Sequence, residues 1–213
     1  MKKILCLFGV VIFASVGVAN AQIEKGNLMI GTDLGSGIAS PGSNSLFGMN
    51  FNLNKNSGFS FGLSPKIGYF IKDNLLIGGI VDFGFTKAPK VNGIAPKTTV
   101  YGVQALGRYY LSPGEQGVDN LLKHGRFFAE ANAGIAGVNV TGGNTTNGFA
   151  FGFGPGYSYF ITPNVALEGL VKYNGLVGGG NTTYQHALGL NFGVQVFLPS
   201  SRVRSAVNDP SQL

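Results

Sequence analysis

The sequence predicts an all-β protein, an eight-stranded antiparallel up-and-down barrel that crosses a membrane with its strands. Residues 149–173 alternate large apolar side chains with small or polar ones around the short break Thr162–Asn164, as a membrane-spanning hairpin does. The chain also has 35 glycines and only 11% charged residues, whereas about 25% is typical of soluble domains. A periplasmic or secreted β-sandwich is the alternative.

The hairpin pattern occurs twice. Residues 59–83 align with residues 149–173 at an offset of 90 without a gap, and ten of the 25 positions are identical. Some of these matches reflect shared strand and turn chemistry. A hairpin repeated in each half of the chain favours a closed, quasi-symmetric sheet.

The N-terminal segment 1–21 has the pattern of a signal peptide. Lys2 and Lys3 precede an apolar run, and Ala19–Ala21 forms an A-x-A cleavage site. The single cysteine, Cys6, lies in this segment, so the mature chain is expected to contain no disulfide. Residues 22–198 are then the barrel, and residues 199–213 are a polar C-terminal tail.

The first four strands are predicted from alternation and from the turn residues between them, over Gly26–Gly37, Gly58–Phe70, Leu75–Phe85 and Thr98–Leu111. Lys72–Asn74 forms a tight turn in the first copy of the repeated hairpin. Residues 45–54 also alternate, but an extra strand would give nine, and single-chain bacterial barrels have even counts. We interpret this segment as a loop extension.

The last four strands are predicted over Gly125–Val140, Phe149–Ile161, Val165–Tyr173 and Thr182–Leu198. The middle two form the second copy of the hairpin, and the final strand has the most regular alternation. Eight strands place both ends of the barrel, and the long connection 112–124, on the periplasmic side.

Three segments carry a resemblance to a known family: SPKIGYFIKDNLLIGG, GPGYSYFITPNVALEG and GLNFGVQVFL. They resemble the outer-membrane β-barrel domain family, which includes the transmembrane domain of OmpA and OmpX and is often labelled porin-like. The resemblance covers nearly all of the mature chain. It implies location in the cell outer membrane, contact with outer-membrane lipids, insertion by the barrel assembly machinery, a monomer, and loops able to hold an extracellular ligand. Such barrels commonly stop at an aromatic residue, whereas here the polar tail follows Leu198.

Seven charged residues fall on the face opposite the apolar one: Asp33, Lys66, Asp82, Arg108, Glu130, Glu168 and Lys172. Eight strands leave an interior only wide enough for side chains to fill, and buried charges need partners. The sequence therefore favours a salt-bridged plug, with a network linking Glu130, Glu168, Arg108, Lys66 and Lys172. A narrow, ion-conducting or gated lumen is the alternative.

The function predicted from these features is non-catalytic, with a structural, adhesive or weak small-solute porin-like role. The alternatives are a barrel enzyme acting on lipid or envelope substrates and a soluble lipocalin-like carrier. His124 and His186 are the only histidines, and neither has an obvious catalytic partner nearby in sequence. No metal-ligand spacing or cofactor motif is present, so neither a metal nor a cofactor is expected. The scattered basic residues indicate anionic lipid headgroups rather than nucleic acid.

Aromatic residues concentrate at the strand ends assigned to the periplasmic side: Tyr69, Phe70, Tyr109, Tyr110, Phe127, Phe128, Tyr157, Tyr159 and Phe160. We predict that they form an interfacial girdle. A stripe of core-packing rings is the alternative interpretation.

Overall fold

The computed structural model describes residues 23–35, 49–51, 59–88, 95–112, 125–143, 145–179 and 184–200. The predicted signal peptide and most of the polar tail lie outside these residues. The described residues contain no helix with the length and apolarity that a bilayer crossing demands.

The described part of the chain is built from strands. They are β1 Leu28–Gly35, β2 Met49–Phe51, β3 Phe59–Lys72, β4 Leu75–Lys87, β5 Lys97–Tyr110, β6 Gly125–Val140, β7 Thr145–Thr162, β8 Val165–Gly179 and β9 Tyr184–Leu198.

The sheet closes on itself. From β3 to β9 each strand pairs antiparallel with the next, and β1 pairs with both β9 and β3. The short strand β2 pairs only with the first three residues of β3, beyond the closed ring. The barrel therefore has eight strands, β1 and β3–β9, and the predicted fold class is confirmed. Within residues 45–54, the described strand extends the β3 edge and does not enter the ring.

The repeated segments form equivalent hairpins. In β3–β4 the register shifts between Phe70 and Lys72, and in β7–β8 it shifts between Phe160 and Thr162, at the same offset of 90 residues. Asn74 closes the first turn with a φ of 65°, a left-handed conformation that asparagine adopts more readily than most residues. We call this end of the barrel the turn end and the opposite end the loop end.

Alternation along every barrel strand divides the side chains between two faces. The outward face is apolar and exposed, with Ile67, Val103, Ile135, Phe153 and Leu188 all more than half exposed. The inward face is buried and mixes polar with apolar groups. The polar and charged side chains that could form a functional site therefore lie in the barrel interior.

Candidate functional site in the barrel interior

The seven charged residues assigned to the inward face lie buried inside the barrel, none with more than 8% of its surface exposed. They come from six of the eight strands in the ring: Asp33 in β1, Lys66 in β3, Asp82 in β4, Arg108 in β5, Glu130 in β6, and Glu168 and Lys172 in β8. Pairing between strands thus brings together charges that are up to 139 residues apart in sequence (Asp33 to Lys172).

Glu130 is the centre of the charged cluster. Its Oε2 accepts from Arg108 Nη2 at 2.6 Å and from Lys66 Nζ at 3.1 Å, and its Oε1 accepts from Lys172 Nζ at 3.3 Å. Arg108 and Glu130 are direct cross-strand partners in β5 and β6, so the sheet register alone sets them side by side. The two lysines reach Glu130 across the lumen from β3 and β8.

Arg108 connects this carboxylate to a second one. Its Nη1 donates to both oxygens of Glu168, at 2.7 and 2.8 Å, and to the Tyr110 hydroxyl at 2.8 Å. Ser158 Oγ also donates to Glu168, at 2.5 Å. The guanidinium lies 4.0 Å from the centre of the Phe128 ring, close enough for a cation–π contact. Every side of the Arg108 head group is therefore occupied by protein.

The closing strand β1 enters the cluster through Asp33. Lys66 Nζ donates to Asp33 Oδ2 at 2.6 Å, and Gln195 Nε2 donates to Asp33 Oδ1 at 2.9 Å. The resulting salt-bridged network has three carboxylates and three cations: Asp33, Glu130 and Glu168 with Lys66, Arg108 and Lys172. Its formal charge is zero, which suits a site away from water.

Asp82 lies apart from this network. Its carboxylate accepts from Ser64 Oγ at 2.6 Å and from Gln104 Nε2 at 2.5 Å, and Gln104 accepts in turn from Asn132 Nδ2. Within the described residues no cation lies at salt-bridge distance from it. Asp82 is therefore held by neutral donors.

Removing the charge of Asp82 should cost far less than removing that of Glu130. Asp82→Asn keeps a polar group of the same size, and the Ser64 hydroxyl can accept as well as donate, so we expect a change within about 1 kcal/mol. Glu130→Gln leaves three buried cations short of a partner and should cost about 3–5 kcal/mol. Urea unfolding of both variants in lipid vesicles measures the difference. Equal losses would contradict the separation of Asp82 from the network.

Inward glycines make room for the polar side chains. A Cβ on Gly193 would overlap the Asp33 carboxylate, and one on Gly152 would come within 2.7 Å of Lys172 Cε. Gly78 and Gly154 face a tighter constraint, because a Cβ there would overlap the backbone of the neighbouring strand. Small residues on this face thus permit both the close strand approach and the network.

An aromatic layer closes the turn end of the interior. Its rings are buried and in mutual contact, with Tyr110 and Phe128 at 5.5 Å, Phe70 and Tyr110 at 5.9 Å, and Phe160 and Phe197 at 5.3 Å between centres. The sequence pattern assigned Phe70, Tyr110, Phe128 and Phe160 to a girdle and did not include Phe197. That assignment was wrong for the inward rings, which form a core.

The sequence neighbours of those rings have the outward position that a girdle requires, and the girdle itself stays a prediction. Tyr69, Tyr109, Phe127 and Tyr159 are between 36% and 48% exposed on the outward face at the same end. Each stands next in sequence to one buried ring of the aromatic layer. An adjacent aromatic pair on a strand must place one ring on each face, and this adjacency is the signal by which the layer could have been found.

A second buried apolar cluster lies at the loop end. It consists of Val100, Ala136, Val138, Ala150 and Leu176, from the adjacent strands β5–β8, and is separate from the aromatic layer. The salt-bridged network therefore lies between the aromatic layer at the turn end and this loop-end apolar cluster.

His186 is not brought into this interior. His186 lies on the outward face of β9, exposed, with its ring centre 6.0 Å from that of Tyr173. His124 falls outside the described residues. The described residues contain no group of three or more His, Cys, Asp or Glu side chains arranged to hold a metal ion.

The closed ring of eight antiparallel strands has a counterpart among solved structures. Neisserial surface protein A matches with a TM-score of 0.50 and 19% identity, over 80% of this chain and 95% of that chain. The fold is that of a small outer-membrane β-barrel. The expected resemblance is confirmed at this level.

Two further matches have lower TM-scores. The N-terminal β-barrel domain of Pseudomonas aeruginosa OprF has 14% identity and a TM-score of 0.39, over 82% of this chain and 98% of that chain. Ail of Yersinia pestis has 15% identity and a TM-score of 0.41, over 82% and 99%. No protein-family model and no curated protein matches the chain. The likeness to Neisserial surface protein A is one of fold.

Proposed function

We propose that the protein is a non-catalytic integral protein of the cell outer membrane, with a structural or adhesive role and a lumen closed by its own side chains. The observation that carries this proposal is the neutral salt-bridged network enclosed between the aromatic layer and the loop-end apolar cluster. A structural or adhesive role needs no passage through the barrel. A porin-like role would require this network to open.

The outward face supports the membrane location. Apolar side chains cover it between the ends, and Tyr69, Tyr109 and Tyr159 lie where strands meet the turn end. Tyrosine is suited to a bilayer interface because its ring is apolar and its hydroxyl is polar. In this proposal residues 1–21 direct export, the barrel assembly machinery inserts the chain as a monomer, and the loop end faces the exterior, where loops could hold a ligand.

Planar-bilayer recordings test the closed lumen. We expect wild-type protein to show no stable open conductance level, because the salt-bridged network, the aromatic layer and the loop-end apolar cluster occupy the interior. Arg108→Ala should add only small, short-lived openings, since the aromatic layer remains in place. Lys72→Ala, which removes an exposed cation at the turn end, is the control and should match the wild type. A large, stable wild-type conductance would overturn the closed lumen and favour a pore.

A further inference from the structure

Two lysines face each other at the loop end of the outward surface. Lys87 and Lys97 are direct cross-strand partners in β4 and β5, and a hydrogen bond from Ala88 N to Pro96 O at 2.8 Å continues the pairing beyond them. Alternation places both on the same face as Phe83 and Tyr101. Like charges directly opposite each other destabilise a sheet, so an anion bound between the two lysines would relieve their repulsion.

The chain supplies no such anion at this end. The loop-end connections, residues 36–58, 88–96, 141–144 and 180–183, contain no aspartate or glutamate, although two further lysines, Lys55 and Lys90, lie in them. Among the described residues, no carboxylate lies at salt-bridge distance from Lys87 or Lys97. An anion from outside the chain could therefore bind between them.

An apolar groove lies below the two lysines on the same face. It has a volume of about 580 Å³ and is lined mainly by Val81, Phe83, Tyr101, Val103 and Ile135. At one side of the groove the Tyr101 ring lies over Gly137, and its hydroxyl donates to Asn147 Oδ1 at 2.6 Å, which fixes the position of that wall. Each lysine lies four positions along its strand from the nearest residue that lines the groove, a distance of about 13 Å.

We propose that this surface binds an anionic membrane lipid, with a phosphate of its headgroup between Lys87 and Lys97 and an acyl chain in the groove. The proposal rests on the proposed membrane location, because only there does the outward face meet acyl chains. The spacing suits a lipid, since a cationic rim and an apolar groove lie in line along the membrane normal. Lipid from the surrounding leaflet can enter this open groove without passing through protein.

Native mass spectrometry of the purified barrel tests the site, after incubation with equimolar phosphatidylglycerol and phosphatidylcholine of the same acyl chains. Each basic residue near anionic lipid favours it about fivefold, so the two lysines should give a preference of about twenty-five-fold for phosphatidylglycerol. Lys87→Ala/Lys97→Ala should abolish the preference. Val103→Trp, which fills the groove, should reduce retention of both lipids.

Lys25→Ala/Lys72→Ala is the matched control, since it removes the same charge at the turn end and should leave the preference intact. The site would be overturned if this control lost the lipid preference equally, or if the wild type showed no preference for phosphatidylglycerol. It would also be overturned if inorganic phosphate displaced the lipid, or if the protein formed a dimer without bound lipid. Failure to insert into phosphatidylcholine vesicles, judged by heat-modifiable migration, would overturn the membrane location and the site together. Normal insertion without lipid preference would overturn the site alone.

Discussion

Arg108→Met is expected to lower the free energy of unfolding by about 3–5 kcal/mol. Arg108 bonds to Glu130 and to Glu168, and its side chain is fully buried. Methionine fills much of the same volume but leaves three buried carboxylates with two cations. A buried charge without its partner is costly because the interior cannot solvate it as water does. Urea unfolding in phosphatidylcholine vesicles measures the loss.

Restoring the charge balance should recover part of this loss. Arg108→Met/Glu168→Gln leaves two carboxylates, Asp33 and Glu130, with two cations, Lys66 and Lys172, so the double variant should be more stable than Arg108→Met alone. Lys72→Ala, at the exposed turn, should stay within about 0.5 kcal/mol of the wild type. A double variant that is less stable than the single one would show that charge balance does not govern the network.

Phe128→Ala is expected to cost about 3–5 kcal/mol. Phe128 is 2% exposed, and its ring contacts both the Tyr110 ring and the Arg108 guanidinium. Its removal creates a cavity under the salt-bridged network and exposes Arg108 to that cavity. The Phe128 ring occupies the space that a side chain on Gly156 would fill, so its loss leaves that space empty as well and increases the cavity. The same unfolding experiment provides the measurement.

The neighbouring residue supplies the control. Phe127 is 36% exposed on the outward face and pairs with Tyr157 at 4.8 Å between ring centres. Phe127→Ala removes an identical side chain from the opposite face and should cost about 1 kcal/mol, the value of a single aromatic pair. If the two variants lose stability equally, the aromatic layer does not act as a core.

Alternation made the barrel and the inward position of each charge predictable from sequence. The side chains of Arg108 and Glu130 could only point inward once the opposite face was apolar. Which charges meet was harder to predict, because it depends on register across strands that are distant in the chain. Asp82 shows the difference: it shares the inward face with the network, yet the register surrounds it with Ser64 and Gln104.

Strand ends were also less predictable than strand centres. β7 begins at Thr145 and β8 continues to Gly179, over Thr, Asn and Gly residues interpreted as loop. Asn and Gly have low strand propensity, whereas Thr does not, and the backbone ladder between Asn147 and Gly179 continues through all of them. Hydrogen bonding to a neighbouring strand outweighs local propensity here. That pairing cannot be read from a single sequence.

The short closing strand β1 gives the network a part in assembly. β1 has 8 residues, against 13 to 18 in the other strands of the ring. Asp33 fastens it on both sides, to Lys66 in β3 and to Gln195 in β9. These side-chain bonds can form only when the last seam of the ring closes. They therefore slow the opening of the ring without speeding its insertion, and Asp33→Asn should lower stability chiefly by raising the unfolding rate.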